Sequence, residues 1–346
     1  MQAADDIEHG GDLAAAMATF PVAPTPWIDL STGINPWPYP VEGIDGAAWA
    51  RLPGAGDMTA LLAAAAIAYG ASPNRMVAAP GSQALIQWLP QLWQRASSRI
   101  AVLSPSYGEH ARSWAAAGHA VALPTDLDAV AADIDVLVIG RPNNPDGRIV
   151  PLDRLADLAD RQARRGGWLI LDEAFADATP EASVIGRLES PSVIVLRSFG
   201  KFYGLAGARL GIAVAEPNLV ARLRRALGPW CVAGPTLVIA TRALADTRWS
   251  ARTRTRLATA AAELDDLLEA AGMRPLGGTP LFRLAEAADA PDRYRQLLAA
   301  GILVRRFAAT PTRLRFGLPP NPAATHRLVR ALAPHHETVG AGGQHE

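Results

Sequence analysis

The 346-residue sequence contains a single lysine, Lys201, although lysine and arginine together number 33. Arginine therefore carries almost all of the positive charge. Acidic residues also number 33, so the formal net charge is zero and no overall field favours nucleic acid or an acidic membrane surface. A composition rich in alanine and arginine explains why lysine is scarce, but it does not explain where the one lysine stands.

Cysteine is equally scarce, because Cys231 is the only one, which excludes an internal disulfide and is typical of a reducing compartment. The seven histidines include no pair with zinc-ligand spacing on a predicted helix, so no metal site is predicted. The acidic N-terminus lacks the apolar core of a signal peptide, and the longest apolar run, 58–69, is too short for a bilayer. We expect a cytoplasmic protein.

Short apolar runs alternate with helical patterns over the first two thirds of the chain, which predicts an α/β fold with a mostly parallel sheet covered by helices on both faces. The predicted strands are 100–103, 120–123, 136–139, 168–171 and 193–196. A long helical pattern then precedes shorter strands and helices, which predicts a smaller α+β domain. We expect an N-terminal arm over 1–45, a large domain over 46–240, a small domain over 241–335 and a frayed tail over 336–346.

Lys201 follows one of these apolar runs, in a glycine-rich stretch with Ser198 before it and Arg209 eight residues after it. A lysine in apolar surroundings tends to lose its proton, and the neutral amine is a nucleophile toward an aldehyde. A surface lysine on a glycine-rich loop is the ordinary alternative for this stretch taken alone. The residues at the ends of the other predicted strands distinguish a reactive lysine from a surface lysine.

Polar residues stand directly after three further predicted strands, at 104–107, at 143–144 and at Asp172. In such sheets ligands bind beyond the carboxyl ends of the strands. Singly, Asp172 could cap a helix and Asn144 could belong to a turn. Together with Gly81-Ser82, which opens another predicted helix, these ordinary explanations would all have to coincide around the only lysine.

These clusters offer the groups that would bind pyridoxal phosphate, a cofactor with a pyridine ring, an aldehyde and a phosphate. Asp172 can pair with the ring nitrogen, Tyr107 can stack on the ring and Asn144 can bond its hydroxyl oxygen. A helix N-terminus with a nearby serine and arginine can hold the phosphate. The predicted cofactor ligands are Gly81, Ser82, Gln83, Tyr107, Asn144, Asp172, Ser198, Lys201 and Arg209, with Lys201 and Asp172 as the catalytic pair.

Five segments, in this order and at similar intervals, resemble the fold-type I, or class I and II, aminotransferase superfamily. They are Gly81-Ser82, Pro105-Ser106-Tyr107, Asn143-Asn144-Pro145-Asp146-Gly147, Asp172-Glu173-Ala174-Phe175, and Ser198-Phe199-Gly200-Lys201 with Arg209. The resemblance implies a seven-stranded sheet, pyridoxal phosphate as cofactor and a homodimer. It also aligns Arg315 with the arginine that binds the substrate carboxylate.

Three further segments, 9–12, 29–36 and 229–232, resemble the threonine-phosphate decarboxylases of cobalamin biosynthesis. That resemblance implies conversion of L-threonine O-3-phosphate to (R)-1-amino-2-propanol O-2-phosphate. It implies a substrate site of His9, Gly33, Asn35, Asn144 and Arg315. In this site Arg315 and the turn 33–35 position the carboxylate, while His9 and Asn35 meet the phosphate.

Two positions depart from the aminotransferase pattern. Phe175 stands where aminotransferases usually carry a tyrosine that bonds the ring hydroxyl, and Leu52 stands where many carry a tyrosine that reaches into the neighbouring subunit. The first departure favours decarboxylation, and the second leaves the contact between subunits open. The reaction itself depends on which bond at Cα is held perpendicular to the ring, and Lys201 does not decide that.

Other functions remain as alternatives. An aminotransferase acting on histidinol phosphate or on an aromatic amino acid would require 2-oxoglutarate. A cofactor-binding regulator would usually add a DNA-binding domain, and no basic helix-turn-helix segment is present. A Rossmann dehydrogenase is disfavoured because no Gly-x-Gly-x-x-Gly follows an early strand.

Overall fold

The computed structural model describes residues 10–333, so His9 and the tail from residue 334 lie outside the described residues. The α-helices are α1 (Leu13–Thr19), α2 (Ala47–Ala50), α3 (Ala55–Tyr69), α4 (Ser82–Leu92), α5 (Glu109–Ala116), α6 (Leu152–Arg165), α7 (Phe199–Phe202), α8 (Pro217–Leu227), α9 (Gly234–Ala245), α10 (Thr247–Ala270), α11 (Ala290–Ala299) and α12 (Pro322–Leu332). The strands are β1 (Ile28–Leu30), β2 (Met76–Ala79), β3 (Arg99–Val102), β4 (Ala120–Ala122), β5 (Val136–Gly140), β6 (Trp168–Asp172), β7 (Val193–Ser198), β8 (Gly211–Val214), β9 (Arg274–Thr279), β10 (Phe282–Glu286), β11 (Ile302–Arg306) and β12 (Arg313–Gly317). Over this range no helix is both long and apolar enough to cross a membrane.

A seven-stranded sheet forms the larger part of the fold, with strand order β2-β8-β7-β6-β5-β3-β4. Every neighbouring pair is parallel except the two that involve β8. Strands β5, β6 and β7 read as continuous apolar runs because both faces of the sheet are covered, each by its own buried cluster. The predicted α/β class with a mostly parallel sheet is confirmed, although the short strands β2 and β8 were not predicted.

A second sheet of five strands, in the order β1-β11-β12-β10-β9, is built mainly from the last third of the chain. Its edge strand β1 comes from the N-terminal region and pairs in parallel with β11, Ile28 opposite Ile302. This pairing carries the following turn, 31–35, toward the catalytic edge of the larger sheet.

The start of α3 is stabilised by a carboxylate in its first turn. The helix begins after Gly54, and the Asp57 carboxylate accepts a hydrogen bond from the Gly54 backbone nitrogen at 2.8 Å. A carboxylate three residues inside a helix reaches back to the capping residue in this way.

The two sheets meet at the turn that follows β5. Gly147 has φ +73°, and a Cβ there would overlap the carbonyl group of Gly278 on β9. A Cβ on the neighbouring Gly277 would lie 2.6 Å from the carbonyl oxygen of Asp146. Backbone packs on backbone here, so the second sheet directly supports the turn that carries Asn144.

Candidate active site

Three adjacent strands bring the predicted catalytic residues to one edge of the seven-stranded sheet. Asp172 ends β6, where it stands opposite Gly140 of β5 and Leu196 of β7. Ser198 ends β7, and α7, which holds Lys201, begins at the next residue. The parallel strands thus place the carboxylate and the amine at neighbouring strand ends, as the sequence predicted.

Lys201 lies in surroundings that favour the neutral amine. Burial lowers its pKa from 10.5 to about 8, and the positive charges of Arg315 and Arg209 act in the same direction. The Asp172 carboxylate opposes them without reversing the shift. The Lys201 amine lies 5.9 Å from the centre of the Phe175 ring. An amine with this pKa is partly deprotonated near neutral pH and can act as a nucleophile or a base.

Asp172 is held by a histidine that the sequence reasoning did not single out. The Oδ2 atom of Asp172 lies 2.8 Å from Nε2 of His110, and its Oδ1 atom accepts from the backbone nitrogen of Ala174 at 3.1 Å. The His110 side chain is only 3% exposed. These contacts fix the carboxylate, and the one available signal for His110 was its position three residues after Tyr107, at the start of α5.

A compact anion cradle lies at the N-terminus of α4. Gly81, with φ +83°, precedes the helix, and a Cβ there would lie 2.6 Å from Nη2 of Arg209. A Cβ on Gly211 would overlap the backbone nitrogen of Ser82. Free backbone N–H groups, the helix dipole and a guanidinium group therefore converge in space that only glycines leave open. The cradle fits a phosphate group.

Tyr107 and Gln83 connect this cradle to the Asp172 side. The Tyr107 hydroxyl donates to Oε1 of Gln83 at 3.1 Å, and Nε2 of Gln83 donates to Glu109 at 2.9 Å. Burial raises the pKa of Tyr107 to about 12, with the charges of Glu109 and Asp172 adding to the rise, so the phenol stays protonated. Its ring meets His110 edge-on at 6.2 Å. Stacking of this ring on a cofactor stays a prediction.

Arg315 on β12 joins three parts of the chain at the opposite wall. Its Nη1 atom donates to Oδ1 of Asn144, and its Nη2 atom donates to the Ser31 carbonyl oxygen at 2.8 Å. Its Nε atom is buried and has no hydrogen-bond partner among residues 10–333. The guanidinium carbon lies 4.8 Å from the centre of the Phe282 ring. A buried cation with an unused donor is suited to an anionic ligand.

Burial lowers the pKa of Arg315 to about 10, and a second arginine, Arg305, adds to the effect. Arg305 stands directly opposite Arg315 in the register of β11 and β12. The sequence reasoning missed Arg305, because only the pairing of these two strands brings it beside Arg315. Asp29, on β1, partly offsets the two positive charges.

The N-terminal turn packs between these two walls. A Cβ on Gly33 would lie 2.8 Å from the Phe282 ring and 2.9 Å from the Phe175 ring, so glycine lets the turn enter. The backbone nitrogen of Asn35 donates to the Lys201 carbonyl oxygen at 2.9 Å.

Both polar atoms of the Asn35 side chain are also engaged. Its amide nitrogen donates to the Phe202 carbonyl oxygen at 2.8 Å, and its oxygen accepts from the Trp37 backbone nitrogen at 2.9 Å. The observed bonds tie the arm to the lysine loop. The contact of Asn35 with a substrate stays a prediction, and so does that of His9, which lies outside the described residues.

Comparison with known families and proteins gives one consistent result. The family model for aminotransferase class I and II matches residues 54–332. The threonine-phosphate decarboxylase of Pseudomonas aeruginosa is 43% identical over 328 residues, which cover 94% of this chain and 97% of that protein. The histidinol-phosphate aminotransferase of Shewanella amazonensis is 31% identical over 306 residues, 81% of each chain.

Among solved structures, the histidinol-phosphate aminotransferase of Sinorhizobium meliloti, in complex with pyridoxal-5'-phosphate, superposes with a TM-score of 0.81. The superposition covers 96% of both chains at 19% sequence identity. At this identity the likeness concerns the fold, and it extends over both sheets described above.

Proposed function

The chain belongs to the family of class I and II aminotransferases, with the fold-type I architecture, and on this footing we propose that it is a pyridoxal-phosphate-dependent decarboxylase of L-threonine O-3-phosphate. The product is CO2 and (R)-1-amino-2-propanol O-2-phosphate, an intermediate of cobalamin biosynthesis. The 43% identity to a threonine-phosphate decarboxylase over nearly the whole of both chains supports this substrate. The aminotransferase relative is less similar and matches less of the chain.

The pairing of Arg305 with Arg315 is the observation that carries the proposal. The two arginines stand opposite each other on β11 and β12, and the positive charge of Arg305 acts on Arg315. Two adjacent guanidinium groups favour the binding of two anionic groups at this wall. L-threonine O-3-phosphate carries two such groups, its carboxylate and its phosphate. Arg315, bonded to Asn144, takes the carboxylate, and Arg305 takes the phosphate.

Pyridoxal phosphate, when bound, supplies an aldehyde that captures the amino group and a pyridine ring that accepts the electrons left by CO2. The cradle at Gly81, Ser82 and Arg209 would hold its phosphate. Asp172, fixed by His110, would pair with the ring nitrogen and favour its protonated form. Lys201 would hold the aldehyde end of the cofactor, and its amine, with a pKa of about 8, could deliver the proton that Cα needs after CO2 leaves.

Arg315, Phe282, Phe175 and the turn at Gly33 would together orient the substrate carboxylate. Which bond at Cα breaks would depend on that orientation. Arg315 anchors the carboxylate on the wall formed with Phe282, while Phe175 and the turn at Gly33 fill the space beside the lysine. Phe175 offers no hydroxyl to the ring oxygen, in keeping with a reaction other than transamination.

Purified protein loaded with pyridoxal phosphate tests the proposal when it is given L-threonine O-3-phosphate without any keto acid. We expect release of CO2 and aminopropanol phosphate in equal amounts. Transamination of histidinol phosphate with 2-oxoglutarate, together with no release of CO2 from threonine phosphate, would replace the proposal by its alternative. Unphosphorylated L-threonine is the matched control substrate, and we expect it to react far more slowly.

A homodimer is the assembly that we propose for this enzyme. Trp49 (73% exposed), Leu52 (68%) and Trp230 (59%) present apolar surface around α2 and the start of α9. The segment after Trp230 adjoins the cofactor cradle, since Thr236 donates to the Ala208 carbonyl oxygen at 2.8 Å. A second copy would bury these side chains and close the cradle from outside.

Sedimentation of the unaltered protein and of a Trp49→Glu, Trp230→Glu variant tests the assembly. We expect a dimer for the first and a monomer with weakened cofactor binding for the second. A monomeric unaltered protein would overturn the proposal. We place the reaction in the cytoplasm, in keeping with a chain whose one cysteine cannot form an internal disulfide.

A further inference from the structure

A fully buried ion cluster lies directly behind the catalytic strand ends, and the chemistry described so far does not use it. Arg197 donates from Nη1 to Glu173 at 2.9 Å and from Nη2 to Asp177. The side chains of Arg197 and Asp177 are each 4% exposed, and that of Glu173 is 0% exposed. Its members adjoin the catalytic residues in sequence, because Glu173 follows Asp172 and Arg197 precedes Ser198.

The cluster takes over where the backbone ladder between β6 and β7 stops. The last residue pair of that ladder is Asp172 with Leu196, and the last backbone bond runs from the Glu173 nitrogen to the Leu196 carbonyl oxygen at 2.8 Å. Beyond it β6 turns away, while β7 continues beside β8 to Ser198. The bridge from Arg197 to Glu173 is therefore a side-chain connection between the two strands at the point where they separate.

The Glu173 carboxylate is fixed on all sides. Besides Arg197, it accepts from the Ser183 hydroxyl at 2.6 Å and from the Val184 backbone nitrogen at 2.7 Å. The Arg197 guanidinium also lies 4.4 Å from the centre of the Tyr69 ring. Burial by itself would lower the pKa of Arg197, but Asp177, Tyr69 and Glu173 outweigh it and raise the pKa. The arginine is thus held as a cation in one position.

A second arginine extends the cluster to the lysine. Arg254 on α10 donates from Nε to the Asp177 carbonyl oxygen at 2.9 Å, and its guanidinium carbon lies 5.2 Å from the centre of the Phe202 ring. Phe202 is the residue after Lys201. The cluster therefore reaches the residue next to Asp172 at one end and the residue next to Lys201 at the other.

We propose that Arg197 is a positioning residue, which bridges Glu173 and Asp177 and so fixes the Lys201 amine relative to the Asp172 carboxylate. In the proposed function both groups would hold the cofactor, so a small shift of β7 against β6 would weaken cofactor binding. The inference rests on the cofactor of the proposed function but not on its substrate.

Arg197→Lys, prepared without cofactor and then titrated with pyridoxal phosphate in the absence of substrate, tests the proposal. Lysine keeps the charge, but its single amine cannot bridge two carboxylates with the geometry of a guanidinium group. We expect the dissociation constant of the cofactor to rise about tenfold or more. We also expect the pH midpoint of the visible absorbance of the lysine-bound cofactor to move, because the Asp172 carboxylate no longer sits at its proper distance.

Arg283→Lys is the matched control, because Arg283 forms a two-pronged ion pair with Asp265, at 2.7 Å and 2.6 Å, away from these strand ends. We expect Arg283→Lys to lower the thermal stability without changing cofactor affinity or the absorbance titration. Equal effects of both variants, or a cofactor affinity and pH midpoint unchanged in folded Arg197→Lys, would assign Arg197 a purely structural role. If Arg197→Lys does not fold, Asp177→Asn is judged by the same two measurements.

Because no substrate is present, the outcome does not depend on whether threonine phosphate is the true substrate. Failure of the substrate proposal would show only in the release of CO2, and failure of this one would show only in cofactor binding.

Discussion

The two walls of the active site are built in different ways. The cofactor wall consists of residues at the ends of strands of the larger sheet or at the starts of the helices that follow them. Asp172, Lys201 and Gly81 are examples. The substrate wall brings together the arm, the turn after β5 and the strands β11 and β12, which are far apart in sequence. In the proposed function the first wall binds the cofactor, and the second orients the substrate.

This difference explains which site residues could be predicted from the sequence and which could not. Each cofactor residue stands beside its own local signal, either a buried apolar run or a glycine before a helix, so the clusters could be found one by one. Arg305 and His110 have no such signal. Their places beside Arg315 and Asp172 follow from a strand register and from a contact across 62 residues, and both depend on the completed tertiary structure.

The strands show the same limit. Runs such as Val136–Gly140 are apolar throughout and were predicted within one or two residues. β8 (Gly211–Val214) and β9 (Arg274–Thr279) were missed, because glycines make up part of both and β9 is only half buried. The short β1 was not among the predicted strands, since its partner β11 lies some 270 residues away in the chain. Pairing at that distance leaves no periodic trace in the sequence.

Substitution of Lys201 should have the largest effect on the cofactor wall. Lys201→Ala deletes the only lysine of the chain, so the visible absorbance of the lysine-bound cofactor should be absent and turnover should fall by about 10⁴-fold or more. Absorbance spectra and measurement of CO2 release check the two points, and thermal unfolding shows whether the variant is folded. A variant that keeps the visible band would contradict the assignment of Lys201.

Substitution of Arg315 or Arg305 should impair substrate binding. The two variants should separate binding of the carboxylate from binding of the phosphate. Arg315→Lys leaves the Asn144 oxygen and the Ser31 carbonyl oxygen without their donors, and we expect kcat/KM to fall about 10²- to 10³-fold. Arg305→Lys should mainly remove the preference for phosphorylated over unphosphorylated threonine. Cofactor absorbance should be unchanged in both variants.

Steady-state kinetics with both substrates give the comparison. If Arg305→Lys keeps its full preference for L-threonine O-3-phosphate over L-threonine, Arg305 does not bind the substrate phosphate. If Arg315→Lys abolishes that preference instead, the two assignments must be exchanged.

A smaller effect is expected at the cradle that holds the cofactor phosphate. Gly81→Ala forces a Cβ into the Arg209 guanidinium and strains a backbone at φ +83°, so cofactor affinity should fall about ten- to a hundredfold. Gly118→Ala is the matched control, because Gly118 has φ +85° but a Cβ there meets no atom within 4 Å. Equal losses of cofactor affinity in the two variants would mean that backbone strain alone, not the cradle, is responsible.

Phe175→Tyr should shift the reaction partly from decarboxylation to transamination, with little loss of turnover. The new hydroxyl would enter beside Lys201, where it can donate to the ring oxygen of the cofactor. We expect the release of CO2 to fall less than about tenfold and a slow transamination with a keto acid to appear. Measurement of both products from one reaction gives the ratio. An unchanged ratio would remove Phe175 from the residues that select the reaction.

The smallest effect concerns the stability of the cofactor-free protein, which reports the burial of Lys201 directly. In the folded chain Lys201 loses its proton with a pKa of about 8, and in the unfolded chain it does so near 10.5. Between these values the unfolded chain binds more protons, so the stability of the unaltered protein relative to Lys201→Met should rise with pH from about 8 to 10.5. Below pH 8 the difference should be constant, with the buried charge disfavouring the folded state. Melting temperatures of both proteins across this range measure it, and Tyr107, present in both, cancels. A difference that stays flat or falls with pH would show that the amine is solvated as an ordinary surface lysine, and the comparison between the two walls would lose its strongest electrostatic support.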